Sequence, residues 1–61
     1  MDLSENIQYY VDQISSLNRL LDELQNLPNT ALIAIQKRFV RVLISRAENK
    51  LRDLRTTVHN I

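Results

Sequence analysis

Glycine is absent from this chain of 61 residues, and Pro28 is its only proline. These two residue types make most tight turns, so a chain with one proline and no glycine has few places to reverse direction. Pro28 disfavours helix at the residue before it, while Asn29 and Thr30 after it are good helix N-caps. The sequence therefore predicts one all-α domain, residues 1–61, with a helix over about 3–26, a turn over about 27–30 and a helix over about 31–60.

Apolar residues recur along the first helix at alternating intervals of four and three, the repeat that keeps one seam facing a neighbouring helix. This seam contains Leu3, Ile7, Tyr10, Ile14, Leu17, Leu21 and Leu24. Ser4 stands just before most of the periodic run and is the predicted N-cap, with Glu5 placed favourably against the positive end of the helix dipole.

The second helix carries two apolar stripes. A long stripe keeps the four-three spacing through Val40, Ile44, Ala47, Leu51, Leu54, Val58 and Ile61. A shorter stripe, displaced around the helix and close to the turn, contains Leu32, Ile35, Phe39 and either Val42 or Leu43. Two stripes require two apolar neighbours, and the first helix can cover only one of them.

The short turn predicts a two-helix antiparallel hairpin. Equal rise on either side of residue 28 would place Leu17 against Phe39 and Leu21 against Ile35, so the first helix would cover the short stripe. The long stripe, and an overhang of about 10 Å at its far end, would then need another chain. The predicted partner interface contains Leu32, Ile35, Phe39, Val40, Leu43, Ile44, Ala47, Leu51, Leu54 and Val58. A second copy, giving a four-helix bundle, is the simplest partner.

Charge is divided between the halves of the chain, although the formal net charge is only +1. The first helix is acidic, and Arg19 is its only base. The second helix is basic. One of its flanks carries Lys37, Arg41, Arg52 and Arg55, with Glu48 among them and Arg38 beside them. Three interpretations of this flank are a solvated face, a contact for an acidic protein and a contact for nucleic acid phosphates.

Several function classes find no support in the sequence. Cysteine and glycine are absent, so disulfides, thiolate chemistry and a glycine-rich phosphate loop are excluded. His59 is the only histidine and has no recognisable catalytic partner. We therefore predict no catalytic residues, no metal site and no cofactor. The acidic amino terminus is unlike a secretory signal, and no apolar run approaches the ~20 residues of a membrane span, which favours an intracellular location.

The sequence thus predicts a non-enzymatic helical module for protein–protein interaction: a small regulator, inhibitor or assembly adaptor that acts as a homo-oligomer, with a dimer favoured. A heterologous protein partner is also open. One alternative is a nucleic-acid-binding regulator that uses the basic flank of the second helix. Another is a helical subunit or fragment of a larger assembly. The identity of a partner and the topology of a dimer do not follow from the sequence.

Overall fold

The computed structural model describes residues 2–59, with side chains through residue 57, as two helices packed against each other. Helix α1 is Leu3–Gln25 and helix α2 is Ala31–His59, and residues 26–30 connect them. The predicted all-α helical hairpin is therefore confirmed. The hairpin is elongated, with extents of 47 × 15 × 14 Å.

The N-cap of helix α1 lies two residues before the predicted one. The N-cap is Asp2, whose side-chain oxygen Oδ1 accepts a hydrogen bond of 2.8 Å from the amide of Glu5. Ser4 was the wrong choice and lies inside the first helical turn. The carboxylate of Asp2 satisfies a free amide, as a serine hydroxyl would, and its charge also opposes the positive end of the helix dipole.

The turn ends with the cap of helix α2. Thr30 Oγ1 accepts a hydrogen bond of 3.3 Å from the amide of Ile33, and the carbonyl of Thr30 accepts one of 2.9 Å from the amide of Ala34. The amide of Thr30 donates to the carbonyl of Pro28 at 2.8 Å. These bonds fix the reversal of the chain immediately after the proline, and they confirm Thr30 as one of the two predicted cap residues.

The core lies between the seam of α1 and the long stripe of α2. Leu24, Val40 and Ile44 form one buried cluster, with Leu17, Leu21 and Ile33 packed around it. Ala47 and Leu51 continue the buried stripe away from the turn. The predicted register, which placed Phe39 and Ile35 inside the hairpin, is therefore wrong: Phe39 is 63% exposed and Ile35 is 65% exposed.

The long stripe packs inside the hairpin because its length matches that of the α1 seam. The α1 seam runs the whole helix, from Leu3 to Leu24, and only the long stripe of α2 offers apolar side chains over a comparable distance. The short stripe ends at Val42, and the same side of the helix continues with Arg46 and Lys50. Packing the short stripe against α1 would leave the far half of the seam facing charged residues, which is costly because charged side chains lose hydration there.

The predicted overhang also needs correction. Leu54 is half-buried in the single hairpin, so it does not require a second chain for cover. The side chain of Val58 and all of Ile61 lie outside the described part of the chain.

Candidate interaction surfaces

Five large apolar side chains project from one side of the hairpin. They belong to both helices and are each between 42% and 65% exposed: Leu20, Leu32, Ile35, Phe39 and Val42. We call this set the apolar face. Isolated exposed apolar residues are common on proteins, but a contiguous group of this kind is typical of an interaction site.

A groove between the two helices joins three members of the apolar face, with Gln36 also in its lining. Leu20 of α1 lies on one wall, Ile35 and Phe39 of α2 lie on the other, and the buried residues Leu24 and Val40 contribute to its base. The groove is open and has a volume of about 410 Å³. Its walls therefore offer apolar surface from two elements at once, as the gap between two neighbouring helices of a bundle does.

The same side of the hairpin becomes polar away from the turn. On α1, a second open groove is lined by Tyr9, Asp12, Gln13, Ser16 and Leu17. On α2, helical spacing continues the stripe beyond Val42 with Arg46, Lys50 and Asp53. Apart from Tyr9, which is 50% exposed, the large exposed apolar side chains of this side thus lie in the half of the hairpin that is next to the turn.

A basic groove runs along the outer surface of α2. Its cations are Lys37, Arg38, Arg41 and Arg46, and we use the term basic groove for these four residues. The remaining lining residues are Asn29, Ala34, Val42, Ser45 and Asn49, none of which carries a carboxylate. The groove is shallow and open, with a volume of about 610 Å³. It borders the apolar face at Val42.

The basic flank predicted from the sequence is divided in the structure. Lys37, Arg38 and Arg41 lie in the basic groove, while Arg52 and Arg55 line another groove together with Ile14 and Leu51. Glu48 belongs to this second groove and offsets part of its positive charge. The strongest concentration of unopposed cations therefore lies between the turn and the middle of α2, and it includes Arg46, which the sequence prediction omitted.

The predicted partner interface divides in a similar way. Leu32, Ile35 and Phe39 are exposed and available to a partner. Leu43 is half-buried, whereas the long stripe is used inside the hairpin by Val40, Ile44, Ala47 and Leu51. The prediction missed Leu20. Leu20 could have been recognised in the sequence as an apolar residue of α1 that lies outside the four-three seam.

Comparison of the chain with protein-family models, with curated proteins and with solved structures found no match. Within the described residues, no group of three or more His, Cys, Asp or Glu side chains is arranged to hold a metal ion. Neither described helix is long and apolar enough to cross a lipid bilayer. The surfaces of the hairpin are therefore the basis for any functional proposal.

Proposed function

We propose that this protein is a self-associating helical module that acts by protein–protein interaction and not by catalysis, as a small regulator or assembly adaptor. In this proposal two hairpins bury their apolar faces against each other and form a four-helix bundle. The exposure of Phe39 and Ile35 beside a fully formed hairpin core is the observation that carries it.

The surface area of the hairpin supports association. A compact monomer of this mass exposes about 4,100 Å². The hairpin exposes 4846 Å², which is roughly 700 Å² more. A stable interface of standard size removes about 800 Å² from each partner. The excess is thus of the size that one additional helical layer would cover.

A second copy fits the apolar face better than an arbitrary protein does. The face joins two helices, so its groove can receive the matching ridge of an identical hairpin, as in two-layer helical bundles. Face-to-face association of identical surfaces also forms a closed dimer. The cations of the basic groove that lie away from the face, Lys37 and Arg41, would stay accessible for a further partner.

A pair of variants tests this proposal. Phe39→Glu places a charge in the centre of the apolar face, whereas Ser45→Glu adds the same charge at an exposed position outside it. Size-exclusion chromatography with light scattering should find a dimer for Ser45→Glu and a monomer for Phe39→Glu, with both retaining helical circular dichroism. A Phe39→Glu variant with unchanged mass would contradict the proposal.

The basic groove supports a second candidate function, the binding of nucleic acid. Four cations line it without a carboxylate, and clustered Arg and Lys are the side chains that contact phosphates. Two features weigh against this function: the net charge is only +1, and the lining residues include no aromatic side chain on which a base could stack.

The second candidate has a matched test within the chain. Electrophoretic titration with mixed RNA and DNA at about 0.15 M salt should find negligible binding under the favoured proposal. Micromolar binding that is lost in a Lys37→Gln, Arg38→Gln, Arg41→Gln variant would reverse the ranking. Arg52→Gln, Arg55→Gln is the control, because these cations belong to the other groove.

A further inference from the structure

We infer that the two copies associate around a two-fold axis that runs parallel to the helices. Both turns then lie at the same end of the bundle, and α1 of one copy packs along α2 of the other. This inference rests on the proposed self-association and specifies its geometry. The competing geometry has the two turns at opposite ends, with α1 facing α1 and α2 facing α2.

The position of the apolar face along the hairpin favours turns at the same end. Leu20, Ile35 and Phe39 lie in the half next to the turn, and the other half of the same side presents Asp12, Arg46 and Lys50. With both turns at one end, apolar residues of each copy meet apolar residues of the other. With turns at opposite ends and the hairpins overlapping along their whole length, Phe39 would face the charged half of the second copy, which leaves apolar surface uncovered and charges desolvated.

The charges that border this side supply an independent argument. On α1, helical spacing aligns Glu5, Asp12 and Glu23 with Tyr9, Ser16 and Leu20 along one edge. On α2, the corresponding edge carries Arg38 and Arg46 beside Val42, followed by Lys50. One edge of this side is thus mostly acidic and the other is mostly basic, although Arg19 and Asp53 depart from this pattern.

The two edges also match in height along the bundle. Leu24 lies in one cluster with Ile33 and Val40, Leu20 shares a groove with Phe39, and Ile14 shares one with Glu48 and Leu51, which brackets the levels of the two helices. At equal rise per residue, Glu23 lies at roughly the level of Arg38, and Asp12 at roughly that of Lys50. When α1 of one copy lies along α2 of the other, opposite charges therefore meet at both levels.

The competing geometry brings like charges together. With α1 packed antiparallel on α1, Glu23 of each copy comes close to the level of Glu5 of the other. Exposed ion pairs contribute little to affinity, but like charges placed side by side discriminate strongly against a wrong arrangement. The apolar face thus supplies the affinity, and the charged edges select the orientation.

Distances between spin labels distinguish the geometries. The chain contains no cysteine, so Ser4→Cys, Ser15→Cys and Asn29→Cys each give one label, at exposed positions near the far end, the middle and the turn of the hairpin. Double electron–electron resonance on each labelled dimer should give about 15–30 Å at all three positions, because the helices of a bundle are 8–10 Å apart. Light scattering on the labelled samples verifies that they are dimers.

The outcomes separate the inference from the proposed function. If both end labels were roughly 35 Å or more apart while the Ser15 label stayed short, the dimer would have its turns at opposite ends and the inference would be wrong. A short Asn29 distance with a Ser4 distance beyond about 50 Å would indicate dimers that overlap only near their turns, which also contradicts it. A monomeric mass without dipolar coupling at any position would contradict self-association itself.

Discussion

Phe39 and Val40 are adjacent in the chain but occupy opposite environments: Phe39 is 63% exposed and Val40 is 4% exposed. One residue step rotates a helix by 100°, so neighbours on the boundary between two stripes face different surroundings. The most bulky apolar side chain of α2 therefore points away from the core that its neighbour helps to build. This relationship is the basis for assigning the hairpin a partner.

The two stripes of α2 should respond differently to one small deletion. Ile44→Val removes a methylene from the buried cluster and should cost about 0.5–1.5 kcal/mol in the free energy of unfolding. Ile35→Val is the matched control, because the same atoms are removed from a largely exposed side chain. At protein concentrations low enough to keep the hairpins monomeric, Ile35→Val should lower the free energy of unfolding by no more than about 0.5 kcal/mol, as measured by urea unfolding. Equal costs would contradict the assigned core.

The contribution of the Thr30 cap should be measurable at the amide of Ile33, which donates to the Thr30 hydroxyl. Thr30→Ala removes the acceptor of the Ile33 amide and should lower the free energy of unfolding by about 0.5–2 kcal/mol. Hydrogen exchange at the Ile33 amide should accelerate. Thr30→Ser keeps a hydroxyl and should largely preserve the protection. An unchanged exchange rate in Thr30→Ala would show that another group satisfies this amide.

The sequence was sufficient to predict the two helices and the turn. The lone Pro28, the cap at Thr30 and the seam from Leu3 to Leu24 are local signals, and each depends on residues close together in the chain. Both stripes of α2 were also recognisable from spacing. Their existence, and hence the expectation of a second apolar neighbour, did not depend on the register of the helices.

Spacing in the sequence could not show which of the two α2 stripes packs against α1. Periodicity gives the direction of Phe39 and Val40 around the helix, but it does not give the rotation of α2 relative to α1. That rotation depends on matching the whole length of the α1 seam, which is a property of packing between distant residues. The interface predicted from the sequence lacked Leu20 for the same reason, because Leu20 and Phe39 come together only in the tertiary structure.

Salt should separate the two candidate functions. Association through the apolar face depends on removing apolar surface from water, so the dimer should persist at about 1 M NaCl, where the Debye length is about 3 Å. Any phosphate contacts made by Lys37, Arg38 and Arg41 should disappear under the same conditions. Light scattering in a salt series measures the first effect, and electrophoretic titration measures the second. Dissociation of the dimer at high salt would indicate that charge, and not the apolar face, holds the copies together.

Association should also stabilise the helices. A partner that binds only the folded hairpin raises its apparent stability, so the midpoint of thermal unfolding should increase with protein concentration. Circular dichroism melts over a hundredfold range of concentration measure this shift. Phe39→Glu is the control and should melt at a midpoint that does not depend on concentration. A constant midpoint for the unmodified chain would indicate that folding and association are not coupled.

The central claim is that a second copy covers the apolar face, and sedimentation equilibrium of the unmodified chain tests it most directly. Between about 1 µM and 1 mM, the range in which small interfaces dissociate, the mass should rise from one chain of 7.2 kDa to two. A chain that keeps its helical circular dichroism and sediments as a single 7.2 kDa species at the highest concentration would contradict the account.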